Sequence, residues 1–130
     1  MTIDDKSARL LAAIAANAKA LNDATDDVNA AIEQLEDRLT QIGVGVSCGL
    51  DRKIEVTVDS RTWGIGYGKC ENKWCFTAFE TAPPGTLLLP LLKAPRAVRV
   101  ASLEVLYLVL DAIHTRQLQM FHDIHKAKLK

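Results

Sequence analysis

The first 42 residues contain neither proline nor glycine, and no other feature restricts the possible folds as strongly. Within that stretch Leu11, Ile14, Ala18, Leu21, Thr25, Val28, Ile32, Leu35, Leu39 and Ile42 recur at alternating steps of three and four. Such spacing places them on one stripe of a helix and makes a heptad seam of more than four repeats. A helix of this length runs about 60 Å at 1.5 Å per residue. Thr2 is expected to cap its start, with Asp4 and Asp5 at the positive end of the helix dipole. Gly43 is expected to end it. The flanks of the seam are small or neutral: Leu10, Asn17, Ala24 and Ala31 on one side, Ala15, Asn22, Asn29 and Glu36 on the other. These flanks suit close packing on an antiparallel helix or a sheet better than the charge pairing of a parallel zipper. Asn22–Asp27 is poor in helix formers, but the seam stays in phase across it, which predicts one continuous helix.

After Gly43 the period changes to two. Val44, Val46, Cys48 and Leu50 alternate with smaller residues, then Ile54, Val56 and Val58, then Trp63, Ile65 and Tyr67, then Trp74, Phe76 and Ala78. Turns are expected at Asp51-Arg52, Asp59-Ser60-Arg61 and Glu71-Asn72-Lys73. Four short alternating runs with tight connections predict an antiparallel meander over residues 43–80, with one apolar, aromatic face. Thr81-Ala82-Pro83-Pro84-Gly85 breaks the sheet and opens an apolar connection over 81–94. Pro95 suits the first turn of a second long helix, expected over 95–128 with Leu103, Leu106, Leu110, Ile113, Met120 and Ile124 on its inner seam. The fold class is therefore α+β, one domain over residues 1–130 in the order α-β-β-β-β-α. The two helices are expected to pair antiparallel and cover the apolar face of the sheet.

Charge is unevenly spread although the formal net charge is zero. Met1–Thr40 carries eight acids and four bases, net −4, and Leu91–Lys130 carries three acids and seven bases, net +4. Helices of opposite sign attract, within one chain or between copies, and the acidic helix offsets the field that a basic helix alone would offer to nucleic acid. The apolar run Val100–Ile113 has 14 residues and contains Glu104 and Asp111, short of the ~20 needed to span a bilayer. Asp4 and Asp5 stand where the basic start of an export signal would lie. The three cysteines have no framework spacing, which suits a reducing, cytoplasmic setting.

Several residues are candidates for chemistry. Gly43, Gly45, Gly49, Gly64, Gly66 and Gly68 strip one sheet face of side chains. That face is either a platform for a peptide, a base or another sheet, or a place where backbone packs closely. Trp63, Tyr67, Trp74 and Phe76 fall on the apolar face, where core packing is expected rather than base stacking. Lys53, Lys69 and Lys73 are too few for a basic groove. Cys70 and Cys75 face each other if the hairpin loop is Asn72-Lys73, and fall out of register if it is Glu71-Asn72. Asp111, His114, His122 and His125 have spacings seen in helical metal sites, which need matching carboxylates on a partner helix; Glu33 and Glu36 are candidates, but nothing in the sequence fixes their positions, and solvent-facing histidines are expected. Ser47, Ser60 and Ser102 lack an adjacent base or a nucleophile elbow. Arg96 and Arg99 are expected to reach the acidic N-terminal helix rather than an external anion.

No catalytic, cofactor or metal constellation emerges, and the chain is expected not to be an enzyme. Its long helix outreaches strands of six or seven residues, which span about 20 Å, so the seam must continue onto something else. The reading that follows is a cytoplasmic protein-interaction module, a homodimer held by its long helices as a coiled coil, with a different protein as another candidate partner. The interaction residues are Leu11, Ile14, Leu21, Val28, Leu35, Arg96 and Arg99. The alternative is a ligand or single-stranded nucleic-acid binder that uses the glycine-lined face.

Overall fold

Asp4 and Gly43 delimit helix α1 (Asp5–Ile42), which is unbroken. The Asp4 carboxylate accepts the Ser7 backbone N–H at 2.7 Å, and that hydrogen bond holds the Asp4 carboxyl below its usual range. Gly43 adopts φ 73°, the left-handed conformation open to glycine, and its N–H bonds the carbonyls of Leu39 and Thr40. The computed structural model describes residues 4–49, 54–82 and 88–129. The Thr2 cap, the Asp51-Arg52 turn and the Pro83-Pro84-Gly85 break lie outside the described residues. Helix α1 passes through Asn22–Asp27 because its weak helix formers find partners. Thr25 donates to the Leu21 carbonyl at 2.7 Å, and Asn22 and Asn29 accept hydrogen bonds from Arg96 and Arg99.

The sheet is antiparallel and four-stranded, in the spatial order β1 (Glu55–Val58), β2 (Arg61–Cys70), β3 (Lys73–Ala82) and β4 (Leu89–Pro90). Two-residue loops make both hairpins. Asp59 and Ser60 have φ of 49° and 64°, and Glu71 and Asn72 have 56° and 63°. Positive φ at both loop positions is the type I′ geometry whose twist matches that of the paired strands. With Glu71-Asn72 as the loop, Cys70 lies opposite Lys73 and Cys75 opposite Gly68. The two thiols are therefore out of register, and Cys48, Cys70 and Cys75 form no disulfide with one another.

The four strands are not the four that the alternation predicts. Val44–Gly49 forms no named strand; Cys48 alone pairs with Tyr67, exchanging two backbone hydrogen bonds of 2.9 Å. The β1 pairing begins at Glu55 opposite Gly64. From Cys48 to Glu55 the chain takes seven steps while β2 takes three, so the two expected strands lie end to end along the same edge of β2. The fourth strand comes from the expected connection. Leu89 and Pro90 pair with Ala78 and Thr77, and an edge position suits a proline that has no N–H to donate. The chain then makes one 3-10 turn, Leu91–Lys93.

The expected C-terminal helix is broken. Helix α2 (Arg96–Ser102) and helix α3 (Leu106–Lys128) are separated by a turn at Leu103–Val105. No proline or glycine marks it. Ser102 is fully buried and its hydroxyl donates to the Arg99 carbonyl at 2.7 Å, while Leu103, Glu104 and Val105 each bond a carbonyl three residues back. This segment is apolar nearly all round, and a straight helix would bury one stripe of it. The break lets α2 bury Val98 and α3 bury Leu106, Val109, Ala112 and Ile113.

Trp63, Ile65, Tyr67, Phe76 and Ala78 form the apolar face of β2 and β3 and join Ile32, Leu39, Leu91, Val98 and Val109 in one core. Tyr67 stacks on Trp74 and meets Phe76 edge to face, each at 5.7 Å. The aromatics thus belong to the core, as expected. Helix α1 covers the outer edge of β3. Where β4 ends, the next outward N–H is that of Phe76, and the Glu36 carboxylate accepts it at 2.7 Å. Glu36 is only 6% exposed. Burial, partly offset by the Phe76 hydrogen bond, raises its carboxyl above the usual 4.5. A raised folded value means that Glu36 contributes stability at acid pH, and this contribution is lost as pH rises through the shifted value. Glu36→Ala leaves a buried N–H unpaired and should cost about 1–3 kcal/mol. Glu36→Gln keeps an acceptor without the charge. In urea unfolding at pH 4 and pH 7, Glu36→Gln should gain on the wild type at the higher pH.

Candidate interaction surface

Helix α1 is divided at Thr25. From Thr25 to Leu39 this face of the helix is part of the fold: Thr25, Ile32, Glu36 and Leu39 are buried, and Val28 and Leu35 pack against the core, while the last seam residue, Ile42, is exposed. From Asp5 to Ala24 every residue is exposed. Leu10, Leu11, Ile14 and Leu21 are 58%, 51%, 59% and 54% exposed. These twenty residues make a helix about 30 Å long that carries an apolar stripe with no cover. Of the five seam residues named from sequence, Leu11, Ile14 and Leu21 remain available to a partner, whereas Val28 and Leu35 serve the fold.

Helix α3 repeats the arrangement at its other end. Beyond Ile113 the large side chains Leu118, Met120, Phe121 and Ile124 are exposed. The Phe121 ring stacks on His125 at 6.4 Å. Helix α1 packs on α2 and β3, while α3 packs on β2, so each helix covers its own part of the sheet. Arg96 and Arg99 do reach α1, but they meet amides instead of acids. Arg96 donates to Asn22 at 2.9 Å and Arg99 to Asn29 at 2.6 Å. Their spacing of three on α2 matches a spacing of seven on α1. Both arginines therefore fasten α2 to α1. The Arg99 Nε is buried without a hydrogen-bond partner.

The glycine-lined face is covered by the chain itself. The Phe79 ring lies over Gly64, where an added Cβ would sit 2.6 Å from Cζ. Gly66 faces the Cys48 carbonyl and Gly49, with 2.5 Å between a Cβ position and that oxygen. The end-to-end edge places Cys48 and Gly49 against Gly66 so closely that no side chain fits between them, while Ser47 comes to ordinary contact distance over Gly68. A continuous platform for bases or a peptide is thus closed at Gly64 and Gly66. What remains is a cleft of about 410 Å³ beside Gly68, bounded by Ser47, Thr77, Phe79, Lys69 and Arg116. Gly66→Ala should break the Cys48–Tyr67 pairing and lower stability by about 2 kcal/mol. At Gly45 a Cβ would meet only the Gly43 carbonyl oxygen, at an ordinary 3.8 Å, and its φ of 67° is a conformation asparagine tolerates, so Gly45→Asn should fall within about 0.5 kcal/mol of wild type. Thermal unfolding of the two variants measures the contrast.

Other clusters hold less. Among the described residues, no three His, Cys, Asp or Glu groups converge as they would around a metal ion, and His114, His122 and His125 do not come together with Asp111. Cys75 is buried, and burial with the nearby Glu36 pushes its thiol up to about 11, which disfavours a reactive thiolate. Among the described residues no helix is long and apolar enough to cross a membrane. No protein-family model, curated protein or solved structure matches the chain.

Proposed function

We propose that the chain is a non-enzymatic, cytoplasmic protein-interaction module that self-associates as a dimer through the free half of α1. The observation that carries this reading is the exposed stripe of Leu10, Leu11, Ile14 and Leu21 on a helix whose other half is anchored in the core. A helix of some twenty residues gains little stability alone in water, and a contiguous apolar surface marks a contact surface. A second copy presents the same stripe. A two-fold axis lets each stripe cover the other, and the small flanks at Ala15, Asn17 and Ala24 allow the close approach of an antiparallel pair. The exposed seam of α3, with basic Lys126 and Lys128 beside it, adds a second strip for a different protein.

The division at Thr25 makes this testable. Light scattering across a hundredfold range of concentration should give a dimer for the wild type. Ile14→Asp and Leu21→Asp should give a monomer whose near-ultraviolet circular dichroism, from Trp63 and Trp74, is unchanged. Val28→Asp and Leu35→Asp should lose that signal, because they put a charge against the core. A wild type that is monomeric throughout would refute self-association.

A further inference from the structure

The division of α1 at Thr25 also decides how a second copy can lie on it. One face of the helix carries the exposed Leu11, Ile14 and Leu21, and then the buried Thr25, Ile32 and Leu39. The helix is unbroken and its seam stays in phase, so this is the same face throughout. Up to Ala24 it is open; from Thr25 to Leu39 the chain's own core covers it. Two copies running parallel would set their seams face to face along the whole helix. Both sheets would then claim the same space. Running antiparallel, each helix starts where the other copy's sheet ends, and the two exposed halves lie side by side.

Side chains of paired helices meet in layers, and only shifts by a whole heptad keep the layers matched. One antiparallel register sets Leu11 against the partner's Leu21 and Ile14 against the partner's Ala18, and symmetry supplies the reciprocal layers. On one flank Leu10 meets the partner's Ala24. The two-fold axis passes level with Ala16, so that Ala15 and Asn17 each meet their own copies on either side of it. Large side chains thus face small ones, which allows close approach. A heptad shift in one direction drives the partner's Ser7 and Leu11 onto Ile32 and Val28, which the core already holds. A shift in the other direction leaves Leu21 facing the partner's Asp4.

Charge favours the same register. The partner's Asp5 arrives level with Asp27 but on the opposite flank, the one that carries Asn22 and Asn29. There α2 fastens to α1. Arg96 and Arg99 donate to the two asparagines, and no described carboxylate pairs with either arginine, not even Asp26 on the same flank. Guanidinium groups held by neutral amides keep their full charge for an incoming acid. Lys6 likewise comes level with the partner's Asp26, and Arg9 with the partner's Asp23. We infer that α1 pairs antiparallel with a second copy in this one register, the partner's acidic helix start seated beside Arg96 and Arg99. This rests on the self-association proposed above. Each stripe is wholly used by the other, so the assembly closes at two copies.

Small-angle X-ray scattering of the wild-type protein tests the orientation. In this register the two Ile32 residues, and with them the two folded bodies, stand about 50 Å apart along the helices at 1.5 Å per residue. The distance distribution should show a second maximum near that separation. A dimeric mass with a single compact maximum would overturn the antiparallel pairing and leave self-association standing, whereas a monomeric mass at every concentration would refute both. The register is tested on exposed positions that leave the core intact. Asn17→Asp brings two carboxylates together beside the axis and should weaken the dimer several-fold at low salt and less at high salt. Asp5→Arg, set against Arg96 and Arg99, should do the same. Wild-type affinity in the Asn17→Asp protein would rule out this register, and wild-type affinity in the Asp5→Arg protein would rule out the seat beside the arginines.

Discussion

Everything in the molecule is arranged around the docking of the second half of α1 on the outer edge of β3. That edge presents backbone groups with no strand to take them once the chain leaves β4 for its 3-10 turn. Glu36 takes the Phe76 N–H, and Ile32 and Leu39 fill the core on the same helical face. A carboxyl is an unusual group to bury, and desolvation raises its pKa against the opposing pull of the Phe76 hydrogen bond. It is kept because the alternative, an open β edge or an orphaned donor, is worse. The same docking sets where α2 can lie, since Arg96 and Arg99 reach Asn22 and Asn29 only from a helix anchored in this register.

The anchored half and the free half of α1 are chemically alike in sequence but do different things. Thirty-eight residues of helix are more than ten-residue strands can cover. The surplus has to project, and it projects with its apolar stripe intact. The glycine face follows a similar logic on the other side of the sheet. There, backbone at Gly66, the Phe79 ring at Gly64 and the Ser47 side chain at Gly68 take the room that missing side chains leave.

Patterns that depend on one element alone were legible in the sequence. The heptad seam, the Gly43 cap, both hairpin turns and the aromatic face all follow from local spacing, and the structure carries each of them. Features that depend on two distant segments were not legible. The alternation of Val44–Leu50 has the right period for a strand, but its place in line with β1 is decided by the contact between Gly49 and Gly66. Leu89–Pro90 looks like a linker because proline argues against a strand, and only the edge position makes it acceptable. The break at Ser102–Val105 has no helix breaker to announce it; it arises from the need to bury two faces of one apolar run. In the heptad frame Glu36 is a solvent flank, and nothing before Phe76 is placed beside it marks it as buried. Thr77 and Phe79 escaped notice for a related reason: they sit between the residues that carry the aromatic pattern.

The hydrogen bonds of α1 also bear on the order in which the chain can assemble during synthesis. The two hairpins close over two residues each and can form as soon as they emerge. Helix α1 is made first, yet its partner Phe76 is 40 residues beyond Glu36 and its partner Arg99 is 70 beyond Asn29. Until Phe76 and Arg99 have been made, the whole seam, not only its free half, therefore has no sheet to cover it. On a message read by several ribosomes at once, neighbouring nascent chains would meet through α1 before either had a sheet to fold against. The late arrival of Phe76 and Arg99 then claims one half of the helix for the fold and leaves the other half as it was.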